Sequence, residues 1–451
     1  MAYLSKFVTK YNKNNNYILL NALSGAVDMV NYSLYERIVP GKEVDSIIFD
    51  SAIAQTLKER VYLFESQQEE ETFLMNLKDI YLDSDDKSSM MLICPTYSCN
   101  LKCEYCFEGE LTKKQTTLSE EQTRIALRSC EKIIEDFNLK PRFGIFGGEP
   151  FLTKNYNQIK IIIDWANSND LEISIPTNAT QLDYFMEFLQ KNFKNGVLQM
   201  TLDGDEREHN SRRGYEGTSE FNPFYKTTTN INLALKAGLK VFLRINLDNI
   251  NIGNLDFLIN FIKDNGWLKF ENFRVGITNI VDHKSENNDT YYDEYELYLD
   301  AQNILEKYHE FDGLIDLKML RVLSHIEAIL TGKKQQSSPK LYYCEACKSQ
   351  FVFGPDGLIY PCTEVMGDEK EAIGRFLPEL VINDEAADLW QKRNVFNINE
   401  CSQCEIFSFC GGGCAVSAKY IKGDIRAPYC GNAKEILRRF VKHFLTKKIN
   451  T

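Results

Sequence analysis

Residues 91–106 read Met-Leu-Ile-Cys-Pro-Thr-Tyr-Ser-Cys-Asn-Leu-Lys-Cys-Glu-Tyr-Cys, a short apolar run followed by a loop with three cysteines. The apolar part, Met91–Pro95, predicts a buried strand. Three thiolates at the spacing of Cys99, Cys103 and Cys106 can reach three corners of an iron–sulfur cubane from one loop. Such clusters normally take four cysteines, so this loop leaves one iron open to another ligand.

Zinc is the alternative metal for a cysteine loop. A structural zinc site needs a closed set of four ligands, which these three cysteines alone do not supply. Cys94 would complete the set, but its place inside an apolar strand favours a buried core thiol. Cys130, which lies among apolar residues of a predicted helix, is interpreted in the same way.

Strand and helix patterns alternate from residue 89 onward. The predicted strands are Met91–Pro95, Arg142–Phe146, Leu171–Ile175, Val197–Leu202, Lys240–Asn246 and Asn272–Ile277. The predicted helices are Ser119–Asp136, Tyr156–Ala166, Leu182–Lys191, Tyr225–Ala237, Leu255–Asn265 and Tyr292–Tyr308. Six such units predict an α/β fold, a partial (β/α)6 barrel with outer helices and its chemistry at the carboxyl ends of the strands.

Composition restricts the function classes. The chain has 451 residues, and 52 basic against 64 acidic residues give a net charge of −12, which argues against nucleic acid as a partner. No apolar run reaches the length of a membrane span, and the N-terminus does not resemble a secretory signal. We therefore expect a cytoplasmic protein without a membrane partner, in which the clustered cysteines among the 13 serve metals rather than disulfides.

Eight further cysteines lie between residues 344 and 430, in a region rich in glycine. They are Cys344, Cys347, Cys362, Cys401, Cys404, Cys410, Cys414 and Cys430. Eight thiolates suffice for two fully ligated cubanes. A pair of four-cysteine zinc sites is the alternative.

The three-cysteine loop, together with Pro95-Thr96-Tyr97-Ser98 before it, resembles the signature of the radical SAM enzymes. The resemblance implies that Cys99, Cys103 and Cys106 hold a [4Fe–4S] cluster at the catalytic centre. In that family the open iron binds S-adenosylmethionine (SAM). An electron from the cluster then cleaves SAM to a 5′-deoxyadenosyl radical, which abstracts a hydrogen atom from the substrate.

Four further stations at successive strand ends resemble the same family. They are Gly147-Gly148-Glu149-Pro150, Thr177-Asn178-Ala179-Thr180, Thr201-Leu202-Asp203-Gly204 with the arginines that follow, and Arg244-Ile245-Asn246. At the position of Ala179 the family usually has glycine. The resemblance implies SAM contacts by Tyr105, Gly147, Gly148, Glu149, Asn178, Thr201, Arg213, Arg244 and Asn246.

The C-terminal cysteines resemble the SPASM extension of radical SAM enzymes, which carries two auxiliary clusters. The resemblance implies an inner cluster on Cys344, Cys347, Cys362 and Cys414. It implies an outer cluster on Cys401, Cys404, Cys410 and Cys430. The expected cofactors are therefore SAM and three [4Fe–4S] clusters. Whether the inner cluster keeps an open iron is left undecided by the sequence.

Two kinds of enzyme fit this pattern. The first is a maturase that cross-links a ribosomally made precursor peptide, by a thioether in preference to a carbon–carbon bond. The second is an anaerobic sulfatase maturase that produces formylglycine. Those enzymes typically have Asp after the cysteine of the Gly-x4-Cys turn, whereas this chain has Thr363, so the first is favoured. Asp203 and Glu364 are the candidate bases, with a structural role in a turn as the alternative for each.

The sequence predicts three domains: 1–88, 89–330 and 331–451, the last being the SPASM domain with a C-terminal helix. Short strands and helices in the first predict a winged-helix-like module. It resembles the element with which peptide maturases bind a leader peptide as an added strand. An extension that covers a barrel edge is the alternative. The expected partners are a precursor peptide with a leader and an electron donor such as ferredoxin or flavodoxin.

Overall fold

The computed structural model describes residues 1–82, 87–214, 221–285, 293–311, 313–316, 323, 327 and 339–447. The chain forms two compact units. The first comprises Met1–Asp86, Arg321–Cys344 and Lys392–Thr451, and the second comprises Lys87–Leu320 and Glu345–Gln391. Within the described ranges, no helix is both long enough and apolar enough to span a membrane.

The second unit is built on a mixed sheet of eleven strands. Its first seven strands are β7 (Ser88–Ile93), β8 (Lys140–Ile145), β9 (Ile173–Thr177), β10 (Gly196–Thr201), β11 (Lys240–Leu247), β12 (Phe273–Asn279) and β13 (Ile315–Asp316). They pair in parallel and in chain order. Because parallel strands run the same way, the loops that follow them lie at one edge of the sheet. The predicted α/β fold with a central parallel sheet is confirmed.

Helices connect these strands. They are α4 (Glu120–Asp136), α5 (Tyr156–Ser168), α6 (Met186–Asn192), α7 (Glu206–Arg212), α8 (Pro223–Lys236), α9 (Leu255–Asp264) and α10 (Glu294–Leu305). Helix α4 begins as its sequence predicts, because Ser119 and Gln122 form a reciprocal capping box. The segment predicted as Leu182–Lys191 begins with a 3-10 turn and becomes α-helical at Met186. Tyr292, at the start of the last predicted helix, lies outside the described residues.

The sheet continues into a part of the chain for which no strands are predicted. There the strands are β14 (Gln350–Phe353), β15 (Leu358–Tyr360), β16 (Gly374–Arg375) and β17 (Val381–Ile382), with α11 (Asp384–Gln391) after them. Strand β14 pairs in parallel with β7, and the other three follow it in antiparallel order. Strands of two to four residues are too short to show a periodic pattern, which explains why the sequence did not predict them.

The first unit combines the two ends of the chain. Its strands are β1 (Ala2–Leu4), β2 (Val8–Lys13), β3 (Asn16–Asn21), β4 (Val27–Val30), β5 (Glu43–Val44) and β6 (Leu63–Phe64). They form two three-stranded antiparallel sheets, β5-β1-β6 and β2-β3-β4. The helices are α1 (Tyr32–Arg37), α2 (Ser51–Glu59), α3 (Gln67–Leu82), α12 (Phe407–Cys410), α13 (Ala415–Lys422) and α14 (Ala433–Lys447).

Aromatic packing joins the two ends of the chain inside this unit. The rings of Phe7 and Phe407 meet edge to face with their centroids 5.4 Å apart. Both side chains are buried. Lys6 also donates a hydrogen bond to the side chain of Gln403. The N-terminal strands therefore share a core with the cysteine-rich C-terminal segment.

The core of the parallel sheet predicts how much truncation of a buried side chain lowers the free energy of unfolding. Leu243 lies in β11 with its side chain fully buried, so Leu243→Ala is expected to reduce the free energy of unfolding by about 2–5 kcal/mol. Leu233 of α8 is 41% exposed, and Leu233→Ala is the matched control, expected to cost about 0.5 kcal/mol or less. Urea denaturation under anaerobic conditions, followed by circular dichroism, compares the two. Equal midpoints for both variants would contradict this account of the core.

Candidate active site

The three-cysteine loop follows β7 at the carboxyl edge of the parallel sheet. Burial raises the pKa of the Cys99 thiol to about 12, and the negative charges of Glu149, Cys103 and Cys106 add to the shift. Burial likewise raises the pKa of Cys106 to about 12, with Glu108 and Cys103 contributing. Thiols that lie this close together ionise readily only with a cation between them, because a metal deprotonates the thiols that coordinate it.

Backbone hydrogen bonds fix this loop in place. The N–H of Lys102 donates to the carbonyl of Arg213, and the N–H of Glu104 donates to the carbonyl of Arg212, both at 3.1 Å. These acceptors lie at the C-terminal end of α7, where carbonyl groups have no partner within the helix. The two hydrogen bonds attach the cysteine loop to the end of α7, so Arg212 and Arg213 lie beside the loop.

The Gly147-Gly148 turn after β8 packs against the start of the loop. Gly148 has a φ of +26°, and a Cβ there would lie 2.3 Å from the carbonyl oxygen of Ser98. A Cβ on Gly147 would lie 2.0 Å from the sulfur of Cys94. Cys94 is itself buried beside Tyr97 and Val352, as a core residue. Any side chain at either glycine would push this turn away from the loop.

Glu149 joins two neighbouring strand ends. Its carboxylate accepts hydrogen bonds from Thr177 Oγ1 at 2.7 Å, from the N–H of Asn178 at 2.7 Å and from the N–H of Phe151 at 2.9 Å. Burial nevertheless raises the pKa of this carboxyl group above its usual value. Glu149 thus has partners within the chain, and its predicted contact with SAM stays a prediction.

A charged network lies beside Cys103. Asp203 Oδ2 accepts a hydrogen bond from the Tyr105 hydroxyl at 2.7 Å and forms an ion pair with Arg213 Nε at 2.8 Å. Arg213 Nη1 is also 3.6 Å from the sulfur of Cys103. Burial alone would raise the pKa of Asp203, but Arg213 and then His209 hold it below its usual value. Asp203, predicted as a candidate base, is therefore charged and paired in the site.

The end of β11 adds two polar side chains to this network. Asn246 Nδ2 donates to the Tyr105 hydroxyl at 3.4 Å, and Arg244 Nε donates to Asn246 Oδ1 at 2.7 Å. On the other side, Asn178 Nδ2 lies 3.9 Å from the sulfur of Cys99. The structure therefore gathers side chains from four predicted stations around one loop. Thr201, the last residue of β10, is half-buried.

Within the described ranges, two polar atoms of the network lack a partner. Asp203 Oδ1 and Arg213 Nη2 are buried and have no hydrogen-bond partner among the described residues. Buried polar groups in proteins are almost always paired, so two such atoms at one site favour a polar ligand there. SAM carries both a carboxylate and an amino group beside its sulfonium. The cysteines and these two side chains fit an iron–sulfur cluster with that ligand.

Glu108 is a site residue that the sequence did not reveal, whereas Arg212 is one of the arginines after Gly204 that the sequence already pointed to. Burial raises the pKa of Glu108 to about 7, with Glu364 adding to the shift, and one oxygen of Glu108 has no partner within the described chain. Glu364, the other candidate base, lies in the short turn Thr363–Val365. Arg212 is 2% exposed, pairs with Asp248 at 2.8 Å and lies over the ring of Tyr105. A single Glu in a polar segment carries no periodic signal, so only the fold identifies Glu108.

The C-terminal cysteines divide between the two units. Burial raises the pKa of Cys401 to about 12, and Cys410, Cys430 and Cys404 add to the shift, so these four thiols of the first unit lie together. In the same unit, Cys344 influences the pKa of Cys414. Cys347 and Cys362 belong to the second unit. Within the described ranges, no three His, Cys, Asp or Glu side chains surround one point closely enough to hold a single metal ion.

The fold and the site define a class: an α/β iron–sulfur protein in which a charged ligand site adjoins a three-cysteine loop. Residues 93–262 match the family model of the Radical SAM superfamily. The chain therefore contains a radical SAM domain, and the protein is a radical SAM enzyme with SAM and an iron–sulfur cluster as cofactors. This confirms the family that the cysteine loop predicted.

Two curated relatives cover different shares of the chain. A cysteine-type anaerobic sulfatase-maturating enzyme of Clostridium perfringens is 26% identical over 358 residues, which is 72% of this chain and 88% of that protein. The radical SAM cyclopropyl synthase TigE of Paramaledivibacter caminithermalis is 22% identical over 483 aligned positions, covering 97% of this chain and 95% of that protein.

A solved structure shares the fold over most of the chain. SuiB from Streptococcus suis, bound to the precursor peptide SuiA, matches with a TM-score of 0.54 and 17% sequence identity. The match covers 95% of this chain and 98% of SuiB.

Substitution of Arg213 tests whether its side chain contacts SAM. We expect Arg213→Met to weaken SAM binding about ten- to hundredfold, because a hydrogen bond to a charged group is worth about 1.5–3 kcal/mol. Equilibrium dialysis of the anaerobically reconstituted protein measures the dissociation constant. Arg207, exposed on the same helix, supplies the control Arg207→Met. An equal loss of SAM affinity in Arg213→Met and Arg207→Met would contradict a contact between Arg213 and SAM. The same holds if Arg213→Met binds less iron and this fully accounts for its weaker SAM binding.

Proposed function

We propose that this protein is a radical SAM peptide maturase. In this proposal it abstracts hydrogen from a ribosomally made precursor peptide and forms a cross-link, with a thioether favoured over a carbon–carbon bond. The observation that carries the proposal is a groove beside a strand edge in the first unit. Two auxiliary clusters of the SPASM type and an electron donor such as ferredoxin or flavodoxin belong to the same proposal.

The proposed leader-binding surface is a groove between β4 and α2 in the first unit. Its volume is about 400 Å³. It is lined by Leu19, Asp28, Met29, Val30, Asn31, Leu34, Ala52, Ile53, Thr56, Leu57, Arg60 and Tyr62. Strand β4 pairs with β3 on one side, and its other edge has no neighbouring strand within the described chain. An extended peptide can add to such an edge through main-chain hydrogen bonds and place alternate side chains in the groove.

The chemistry of the groove favours an amphipathic leader. Leu19, Leu57 and Tyr62 are buried at its base, whereas the side chain of Met29 is 58% exposed. Asp28 and Arg60 form an ion pair at its wall. An apolar groove beside a strand edge gains free energy when an extended peptide covers both. These features support the winged-helix-like recognition module proposed for residues 1–88.

Coverage by the relatives also favours a peptide maturase. TigE and SuiB align with 97% and 95% of this chain, so both extend over the N-terminal strands. The sulfatase maturase of Clostridium perfringens aligns with 72%. SuiB is solved with a precursor peptide, and a precursor peptide is the substrate class that we propose for this chain.

Formylglycine formation on a sulfatase is the second candidate. The 26% identity to a sulfatase maturase over 358 residues favours it. Against it stands Thr363, which opens the turn after Cys362 where such maturases typically have Asp. A threonine hydroxyl is a far weaker base than a carboxylate at neutral pH.

The residues of the second unit have defined tasks in this proposal. When bound, the cluster and SAM supply a carbon radical that removes a hydrogen atom from the peptide. Cys99, Cys103 and Cys106 hold the cluster, and Arg213 orients the ligand carboxylate. Phe107 follows the last of these cysteines, is 43% exposed and stacks with Phe146, at 6.1 Å between ring centroids, so the pair offers the substrate an apolar surface beside the loop.

The groove yields a prediction about leader binding. Ala52 is exposed and lines the groove, so Ala52→Lys places a long charged side chain there and is expected to weaken leader binding at least tenfold, about 1.4 kcal/mol. Gln55→Lys, on an exposed position of the same helix outside the groove, is the matched control. Fluorescence anisotropy with a labelled leader peptide measures both. Unchanged binding by Ala52→Lys would exclude this groove as the leader site.

Turnover distinguishes the two candidate functions. The protein is incubated anaerobically with SAM, a reductant and a small cysteine-containing peptide encoded beside its gene, followed by mass spectrometry with thiol alkylation. We expect two hydrogen atoms lost per link, fewer alkylatable thiols and no aldehyde. Retained thiols with the same mass loss would indicate a carbon–carbon bond. An aldehyde on a sulfatase-type peptide would establish the second candidate, and a variant with Ala at Cys99, Cys103 and Cys106 is the inactive control.

A further inference from the structure

A buried arginine adjoins the four clustered thiols of the first unit. Arg393 is 3% exposed, and it precedes the cysteine segment that begins at Cys401. Burying a guanidinium group is costly unless its donors are paired and its charge is compensated. The described chain pairs the donors of Arg393, but it does not compensate the charge of Arg393.

Backbone carbonyl groups take up the donors of Arg393. Its Nε donates to Ile425 O at 2.6 Å, and its Nη1 donates to Gly413 O at 2.7 Å. Its Nη2 donates to Gly412 O at 2.9 Å and to Ala427 O at 3.0 Å. The guanidinium therefore joins two loops: one links Cys410 to Cys414, and the other leads to Cys430.

Glycines bring the first loop close to Arg393. Gly413 has a φ of +75°, and a Cβ there would lie 1.7 Å from the carbonyl oxygen of Tyr429. A Cβ built on Gly412 would lie 3.6 Å from Arg393 Nη1 and 3.9 Å from the sulfur of Cys401. The guanidinium and the Cys401 thiol thus approach the same glycine, and Arg393 acts electrostatically on that thiol.

Among the described residues, the charge of Arg393 has no acidic partner. Within the part of the chain that the structure describes, its polar contacts are the four carbonyl groups, and no carboxylate lies at ion-pair distance. Carbonyl dipoles satisfy the donors, but they cancel no net charge. A cubane with four thiolate ligands is a net anion. Such an anion on Cys401, Cys404, Cys410 and Cys430 would supply the missing charge.

We propose that Arg393 is a positioning residue for the outer cluster: it ties together the loops that carry the cysteines and serves as the counter-ion of the bound cluster. The inference rests on the outer cluster of the proposed function. A positive charge beside the cluster stabilises the reduced, more negative state, so Arg393 makes the cluster easier to reduce. The potential of an iron–sulfur cluster depends on nearby charge in this way.

The test separates charge from shape. Full-length protein with Ala at Cys99, Cys103 and Cys106 retains only auxiliary iron, and the outer-cluster signal is identified by its loss in Cys401→Ala and Cys404→Ala. Arg393→Gln keeps donors for the carbonyl groups but removes the charge, whereas Arg393→Lys keeps the charge. In Arg393→Gln, we expect the reduced-to-oxidised ratio at fixed potential to fall tenfold, a shift of about 59 mV for one electron. Arg393→Lys is expected to stay near the unmodified protein.

Controls make the outcome decisive. Arg426 is 74% exposed and pairs with Asp424, so Arg426→Gln is the matched charge removal and should leave the signal unchanged. An unshifted potential in Arg393→Gln overturns the proposal. If Arg393→Gln does not load the cluster, the iron content decides: loading by Arg393→Lys supports the counter-ion, and equal failure overturns it. If Cys401→Ala and Cys404→Ala lose no iron, the outer cluster itself is absent. Iron content therefore tests the outer cluster, whereas the potentials of the Arg393 variants test only the role of Arg393.

Discussion

The two backbone hydrogen bonds from Lys102 and Glu104 to the end of α7 are the constraint on which the active site depends. They fix a loop of three desolvated thiols at the carboxyl edge of the parallel sheet, where the strands end and the loops that follow them begin. Once the loop is fixed, Tyr105 meets Asp203, and the end of β11 meets Tyr105. The loop conformation thus determines which polar groups surround the cluster, before any ligand is bound.

Sequence periodicity predicted the six parallel strands to within a few residues, because each is long enough to show a buried pattern between turn signals. The same rule explains what it missed. Strand β14 is only four residues long and pairs with β7 from more than 250 positions away, so no local signal marks it. The cysteine spacing predicted the radical SAM domain, since thiolates at fixed offsets have few other uses. The three-domain division, the ligand set of each auxiliary cluster and the SAM contacts stay predictions.

Arg212 and Arg213 show that a sequence motif does not predict which partner each of its residues contacts. They are neighbours in sequence, and a helix separates adjacent side chains by about 100° around its axis. One therefore pairs with Asp248 and lies over Tyr105, whereas the other pairs with Asp203 and reaches Cys103. Both are almost fully buried. Their partners come from different strand ends, so their separate roles depend on a three-dimensional arrangement that residue types alone do not encode.

The first unit contains both ends of the chain, and this has a consequence for how the protein is made. Phe7 and Phe407 share a core, so the N-terminal strands leave the ribosome about 400 residues before their packing partner exists. At typical rates of synthesis, of about 5–20 residues per second, that interval lasts tens of seconds. The strands of the parallel sheet leave the ribosome within this interval and can pair in order. The first unit can therefore be completed only after translation has passed Cys430, the last cysteine of the chain.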